Sequence, residues 1–314
     1  MQSLENWDGR HYLNIAKDGY TQNFQYAFFP LFPLIVRIMT GITHNFLVSA
    51  ILISLLSSFL AINIFYNLMR IEFKKAVAEK GVFFLLFFPT SFYLLMSYSE
   101  GLFILFVMLS FYYLRKKKIL FSVIFASLAS ATRLAGLAVV LALMVDILSN
   151  HSLHRKKWLI LIAPTGFLSY CLYLFSKTGD PFYFLTSQLH WMRSLAIPGL
   201  NIWETLRVVS FPGLLLKYPN MAIDLIFTIF LIGMVLRSFR FLPFSYGVYG
   251  LISLLLPLTT PTLMSMPRFI LPIFPIFILL AKINNQYFIF IYQLVSIMLL
   301  SAFAVMYING YWVS

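Results

Sequence analysis

Several things that support familiar chemistries are scarce or missing from this chain. Cysteine occurs once, as Cys171 inside an apolar run, so no internal disulfide can form and the residue reads as a small packing element. Acidic residues number only 10 in 314, and charged residues of both signs make up 11% of the total. No glycine-rich phosphate loop is present, which argues against a nucleotide-driven pump. Neither the 5 histidines nor the few carboxylates stand at metal-ligand spacing, so no metal is expected. What the chain has instead is apolar surface: 61% hydrophobic residues, 34 Phe and 18 Tyr. That much cannot be hidden in one soluble core of this size. Runs such as LVSAILISLLSSFLAINIFYNLM (47–69) match the ~20 residues that cross a bilayer, and they lack the alternation of barrel strands. The expected fold is therefore all-α, a polytopic transmembrane helical bundle forming a single domain over 1–314.

The net charge of +13 is distributed in a telling way. Arg70, Lys74, Lys75 and Lys80, then RKKK at 115–118, then Arg155, Lys156 and Lys157, then Arg237 and Arg240, then Lys282 punctuate the apolar runs. Cytoplasmic loops of membrane proteins carry such clusters, and no basic stripe is left over for a nucleic acid. If all clusters face the cytoplasm, each segment between two of them must go out and back. The resulting hairpins have tips near 97–101, 132–136 and 259–269, with a long polar excursion at 177–219. About ten crossings follow, some short or re-entrant because their legs fall below ~20 residues. Residues 1–45, which precede the crossing that ends at Arg70, then form an outer-face loop with juxtamembrane helices.

This topology gathers Asp8, Arg10, His11, Glu100, Arg133, Asp180, His190, Arg193 and Arg268 on the outer face, from separated parts of the chain. Ionisable groups at such positions are costly in lipid and usually face a cavity or a partner. Three of them have an ordinary alternative. Asp8 can cap a short helix that ends near Gly19, with Trp7, Tyr12 and Tyr20 as interfacial anchors. Glu100 can be a hydrated hairpin tip, and Arg133 can reach up to headgroups. His44, His151 and His154 read as interfacial decoration. Convergence on one face favours a single polar site.

The motifs WDGRHYLNIAKDGY (7–20), FFPLFPLIVR (28–37), FFPTSFYLLMSYSEGLF (87–103), ATRLAG (131–136), GDPFYFLTSQLHW (179–191) and SMPRFILPIFP (265–275) occur in that order. Together they resemble the PIG-V-type mannosyltransferases, relatives of GPI mannosyltransferase II in the GT-C class of membrane glycosyltransferases. In that family a membrane helix precedes the WD loop, whereas this chain starts almost at the motif, so a truncated start or the lack of that helix is expected. The resemblance implies inverting transfer of a sugar, most simply mannose, from a polyprenyl-phosphate donor to a lipid, glycan or protein acceptor at the outer face. It also implies Asp8 as general base, by match to the family's early loop acid. Such transfer needs a base for the acceptor hydroxyl and cations for the departing lipid phosphate. Arg133, Arg268 and Arg10 are the phosphate candidates. Glu100 is the second catalytic acid, and Trp7, His11, Tyr12, Asp180, His190 and Trp191 are candidates for the sugar pocket. Arginines can supply the charge a metal would bring, so the reaction is expected to need no cofactor. The expected setting is a bacterial cytoplasmic membrane with the site facing outward, or the ER membrane in a eukaryote. Two other classes stay open: a flippase or transporter of lipid-linked oligosaccharides, and a non-catalytic subunit of a glycosylation complex.

Overall fold

A computed structural model describes residues 2–149 and 151–313, and the described residues contain no strand. A 3-10 turn (Gln2–Glu5) leads to α1 (Asp8–Asp18), and a second (Asn23–Ala27) leads to α2 (Leu31–Thr43). Helices α3 (Phe46–Glu72) and α4 (Lys75–Leu86) follow. A 3-10 segment (Ser91–Leu95) then precedes α5 (Glu100–Arg115), α6 (Ile119–Thr132) and α7 (Gly136–Ser149). After a 3-10 stretch (His151–Ile162) come α8 (Thr165–Thr178), α9 (Tyr183–Ser187), α10 (Leu200–Val209), α11 (Pro212–Lys217) and α12 (Pro219–Phe241). The chain closes with α13 (Phe244–Leu258), α14 (Met266–Ile270), α15 (Pro275–Ala281) and α16 (Gln286–Ile308). The side chains of His151, His154 and Arg155, read from sequence as interfacial or cytoplasmic, lie outside the described residues.

Local chemistry explains several of the boundaries. Asn45 and Asn285 accept hydrogen bonds from the Val48 and Phe288 amides and so cap α3 and α16. Pro219 and Pro275 occupy first-turn positions of α12 and α15, where no amide hydrogen is required. Gly19 stops α1 at φ 77°, as the sequence suggests. Asp8, however, is not the cap: Trp7 occupies that position and no side chain caps the helix. The carboxylate of Asp8 is used elsewhere.

Four segments have the length and hydropathy of a membrane span: Phe46–Glu72, Lys156–Thr178, Pro219–Phe241 and Gln286–Ile308. Leu31–Thr43, Ile119–Thr132, Gly136–Ser149 and Phe244–Leu258 are apolar but shorter. The architecture is thus a helical membrane bundle with four helices of spanning length among the described residues, fewer than the roughly ten crossings expected from the charge pattern. Its central helix is α5, nearly all of which is buried. Small residues let α3 approach it closely. The hydroxyls of Ser54 and Ser58 donate to the carbonyls of Tyr98 (3.1 Å) and Leu94 (2.8 Å), just upstream of α5. Reciprocal bonds between Ser110 and Ser122 join α5 to α6.

Charge sits at the two ends of α5. At its C-terminal end Arg115 pairs with Glu72 (2.9 Å) and Asp146 (3.3 Å), and the Ser245 hydroxyl donates to the same Asp146 carboxylate (2.7 Å). Its N-terminal end carries Glu100, where the second cluster begins.

Candidate functional site

Glu100 is the first residue of α5 and only 2% exposed, so the hydrated-tip alternative fails. One of its oxygens, Oε1, receives Arg133 Nη1 at 2.6 Å and Arg268 Nε at 2.5 Å. The Nη1 of Arg268 reaches Asp8 Oδ2 at 2.6 Å. Two carboxylates and two guanidiniums from four separated parts of the chain therefore form one chain of charges, and that chain is neutral overall. Arg268, 5% exposed, is its centre, with its guanidinium carbon 4.6 Å above the Tyr98 ring and 4.9 Å above the Tyr93 ring. The other oxygen of Glu100, Oε2, is buried without a partner among the described residues.

Each member is held from behind. Arg133 follows the end of α6 and donates to Ser99 Oγ at 3.2 Å, while the Tyr12 hydroxyl meets the same Ser99 Oγ at 2.8 Å. Burial pushes the Tyr12 phenol up to about 12, so it stays neutral and can donate. The carbonyl of Asn6, two residues before Asp8, accepts from Tyr98 (2.8 Å) and Tyr307 (3.2 Å). Gly9 lies so close to Ser97 that a Cβ there would stand 2.6 Å from its Oγ, which explains the glycine after Asp8. The segment that carries Arg268 is held at the Pro267 carbonyl by Thr90 (2.9 Å), at the Met266 amide by Asp224 (3.1 Å) and at the Met264 carbonyl by Arg193 (2.9 Å).

These groups open onto a cavity of about 310 Å³, at the small end of the ~300–1,000 Å³ usual for small-molecule sites. Asp8, Tyr12, Glu100, Arg133, Trp191 and Arg268 all line it. The other candidates do not. Trp7 is 42% exposed and packs edge-on against Trp312, which does line the cavity. Arg10 is exposed. Asp180 accepts from the Phe182 amide (2.8 Å) in a turn of its own. His190 stacks on Phe24 at 4.5 Å over a separate shallow pocket that also includes Tyr183 and Thr186. His11 backs the wall, in edge contact with Phe24 and Trp191. Burial pushes its pKa below the ordinary imidazole value, with Asp8 opposing.

Two residues to which the sequence assigned no role are structurally prominent. Asp224 anchors the Arg268 segment, yet it lies inside a long apolar helix where nothing marks it. Arg193 was visible only as one more outward-facing cation, and the structure puts it on the cavity wall. Among the described residues no group of three or more His, Cys, Asp or Glu side chains is placed to hold a metal ion.

Two acids and two arginines joined by ion pairs beside a cavity, within a bundle of apolar helices, are the arrangement of a membrane protein with a polar site. A family profile described as Mannosyltransferase (PIG-V) matches residues 1–177, and the chain belongs to that family. It is a glycosyltransferase of mannosyltransferase type. The match includes Asp8, Glu100 and Arg133 and ends before Arg193 and Arg268. No curated protein and no solved structure matches the chain.

Proposed function

We propose that the chain transfers mannose, with inversion, from a polyprenyl-phosphate carrier to a lipid, glycan or protein acceptor, at the outer face of a bundle of about ten crossings. The observation that carries this reading is the position of Asp8. Its carboxylate lines the cavity and is oriented by Arg268 through a single oxygen, leaving the other free to take a proton. In a single displacement the acceptor oxygen attacks the anomeric carbon, the bond from that carbon to the phosphate oxygen breaks, and the lipid phosphate leaves with the electron pair. The acceptor's proton passes to Asp8. Glu100 keeps Arg133 and Arg268 in place through its Oε1. Tyr12 and Trp191 supply polar and apolar wall for the sugar. Charge on the leaving group is met by arginine, so transfer should proceed in EDTA.

Membranes containing the chain, given radiolabelled polyprenyl-phosphate-mannose, should form a new glycosidic product. Asp8→Asn should lower turnover by about a hundred- to ten-thousandfold, roughly 3–5 kcal/mol in barrier, with little change in donor affinity. A new product at normal rate from Asp8→Asn would remove Asp8 as base. Carrier translocation without any product would favour a flippase.

A further inference from the structure

Cations that face the cavity differ in one respect. Arg133 and Arg268 are both engaged with carboxylates, so each brings little net attraction for an incoming anion. Arg193 lines the same cavity and pairs with no carboxylate among the described residues. Its guanidinium makes a single hydrogen bond, Nη2 to the Met264 carbonyl at 2.9 Å, and lies 4.9 Å from the centre of the Phe269 ring. Among the described residues its Nε, fully buried, has no acceptor, and its Nη1 makes no hydrogen bond. A guanidinium has several N–H donors and is best satisfied by a planar or tetrahedral oxyanion. The side chain is only partly buried, so the unused Nη donors are open to a ligand that enters the cavity.

A second observation concerns the backbone. Among the described residues, the non-glycine positions with left-handed φ are Trp7 (56°), His44 (55°), Lys117 (57°), Met192 (55°) and Ser265 (74°). His44 and Met192 each end a helical segment, the latter the 3-10 turn Gln188–Trp191, and Lys117 turns a loop. Trp7 and Ser265 stand directly before Asp8 and shortly before Arg268. The left-handed end at Met192 stops the 3-10 turn there, and Arg193, the next residue, lines the same cavity as Asp8 and Arg268.

We propose that Arg193 is the binding residue for the phosphate of the lipid-phosphate donor, and that Arg133 and Arg268 serve chiefly to hold the two acids. This assignment rests on the transferase reading above and supplies its phosphate subsite. Burial pushes the Arg193 pKa down to about 10, with Asp8 opposing and Arg268 adding to the effect, which still leaves it charged at neutral pH.

The test compares binding of a short-chain polyprenyl phosphate with that of the corresponding uncharged polyprenol, to the full-length protein in detergent, by titration calorimetry. Wild type should prefer the phosphate by at least tenfold. Arg193→Gln keeps a donor for the Met264 carbonyl and should lose most of that preference, while Arg193→Lys should keep part of it because a point charge remains. The preference is a ratio measured on one sample, so partial misfolding of a variant does not mimic its loss. Asp8→Asn should retain it in full. If Arg193→Gln discriminates like wild type while Arg133→Gln does not, the phosphate lies at Arg133 and the assignment to Arg193 is overturned. If Arg193→Gln yields no folded protein, unchanged discrimination in Arg193→Lys overturns it equally. Failure of wild type to prefer the phosphate, together with absence of product in the membrane assay, would instead sink the donor class itself.

Discussion

Arg268 touches both acids, and the two contacts are not equivalent. Glu100 is buried and shared by two guanidiniums, whereas Asp8 sits at the cavity, its side chain 18% exposed. Glu100→Gln therefore leaves the buried Arg268 with Asp8 as its one carboxylate and the half-buried Arg133 with none, and breaking a buried pair costs ~3–5 kcal/mol. Thermal unfolding in detergent should show a large loss for Glu100→Gln and a smaller one for Asp8→Asn; the reverse order would mean that the ionic centre lies at Asp8. His11 gives a pH-dependent readout. Its folded pKa lies below the ordinary ~6.5, so the unfolded chain takes up the proton first as pH falls. Stability should be unaffected above that value, decline as pH drops through it, and level off once pH passes the folded pKa. His11→Phe preserves a ring against Phe24 and Trp191 and should flatten this decline. An unchanged acid-side slope in melting temperature would exclude His11 as its source.

At the scale of elements, the contact between α3 and the start of α5 decides whether Glu100 is correctly placed. A Cβ at Gly101 would lie 2.4 Å from Ser58 Oγ and 2.9 Å from the Ser54 carbonyl oxygen, and the latter, as backbone, cannot step aside. Gly101→Ala should cost about 1–3 kcal/mol and depress turnover through displacement of Glu100. Gly41 in α2 faces open space, so Gly41→Ala should be neutral or slightly stabilising in the same melts. Equal effects from both would show that α3 and α5 do not meet as described. The helix ends are legible from the chain, because reading the basic clusters as lying on one side places Glu100 and Arg133 at turns. The structure starts α5 at Glu100 and ends α6 at Thr132. What stayed hidden was partnership. Arg268 is 260 residues from Asp8 and 168 from Glu100, and no local pattern encodes a pair so distant. The motif that carries Asp180 and His190 resembles a site segment, but a turn amide and a stacked ring satisfy them outside the cavity. Arg193 is hidden for the opposite reason: that it pairs with no carboxylate among the described residues is a three-dimensional fact.

For the molecule as a whole, α5 separates two ionic clusters, one at Glu100 and one at Arg115, with no charged residue between them. The fifteen steps from Glu100 to Arg115, at ~1.5 Å each, place the clusters roughly 22 Å apart, about three quarters of a ~30 Å hydrocarbon core. If the Arg115 cluster with Lys116, Lys117 and Lys118 marks the cytoplasmic side, the cavity must open on the other. In a Cys171→Ala background, a cysteine at exposed Asn14 should react with an impermeant reagent from outside, and one at exposed Lys117 should be protected in sealed cells. The opposite pattern would invert the whole orientation, cavity included.

Among the described residues, the ion pairs that join the first 210 residues to the remainder are the two made by Arg268. Cutting the chain between Ser210 and Phe211, in an exposed stretch ahead of α11, would give one fragment with both acids and another with the cation that orients them. Neither fragment alone holds a complete site. Expressed together, they should reassemble and regain activity by complementation, and that recovery should vanish when the second fragment carries Arg268→Ala. The enzyme's acid and its counter-charge would then behave as two separately inherited parts whose reunion can be selected for in living cells.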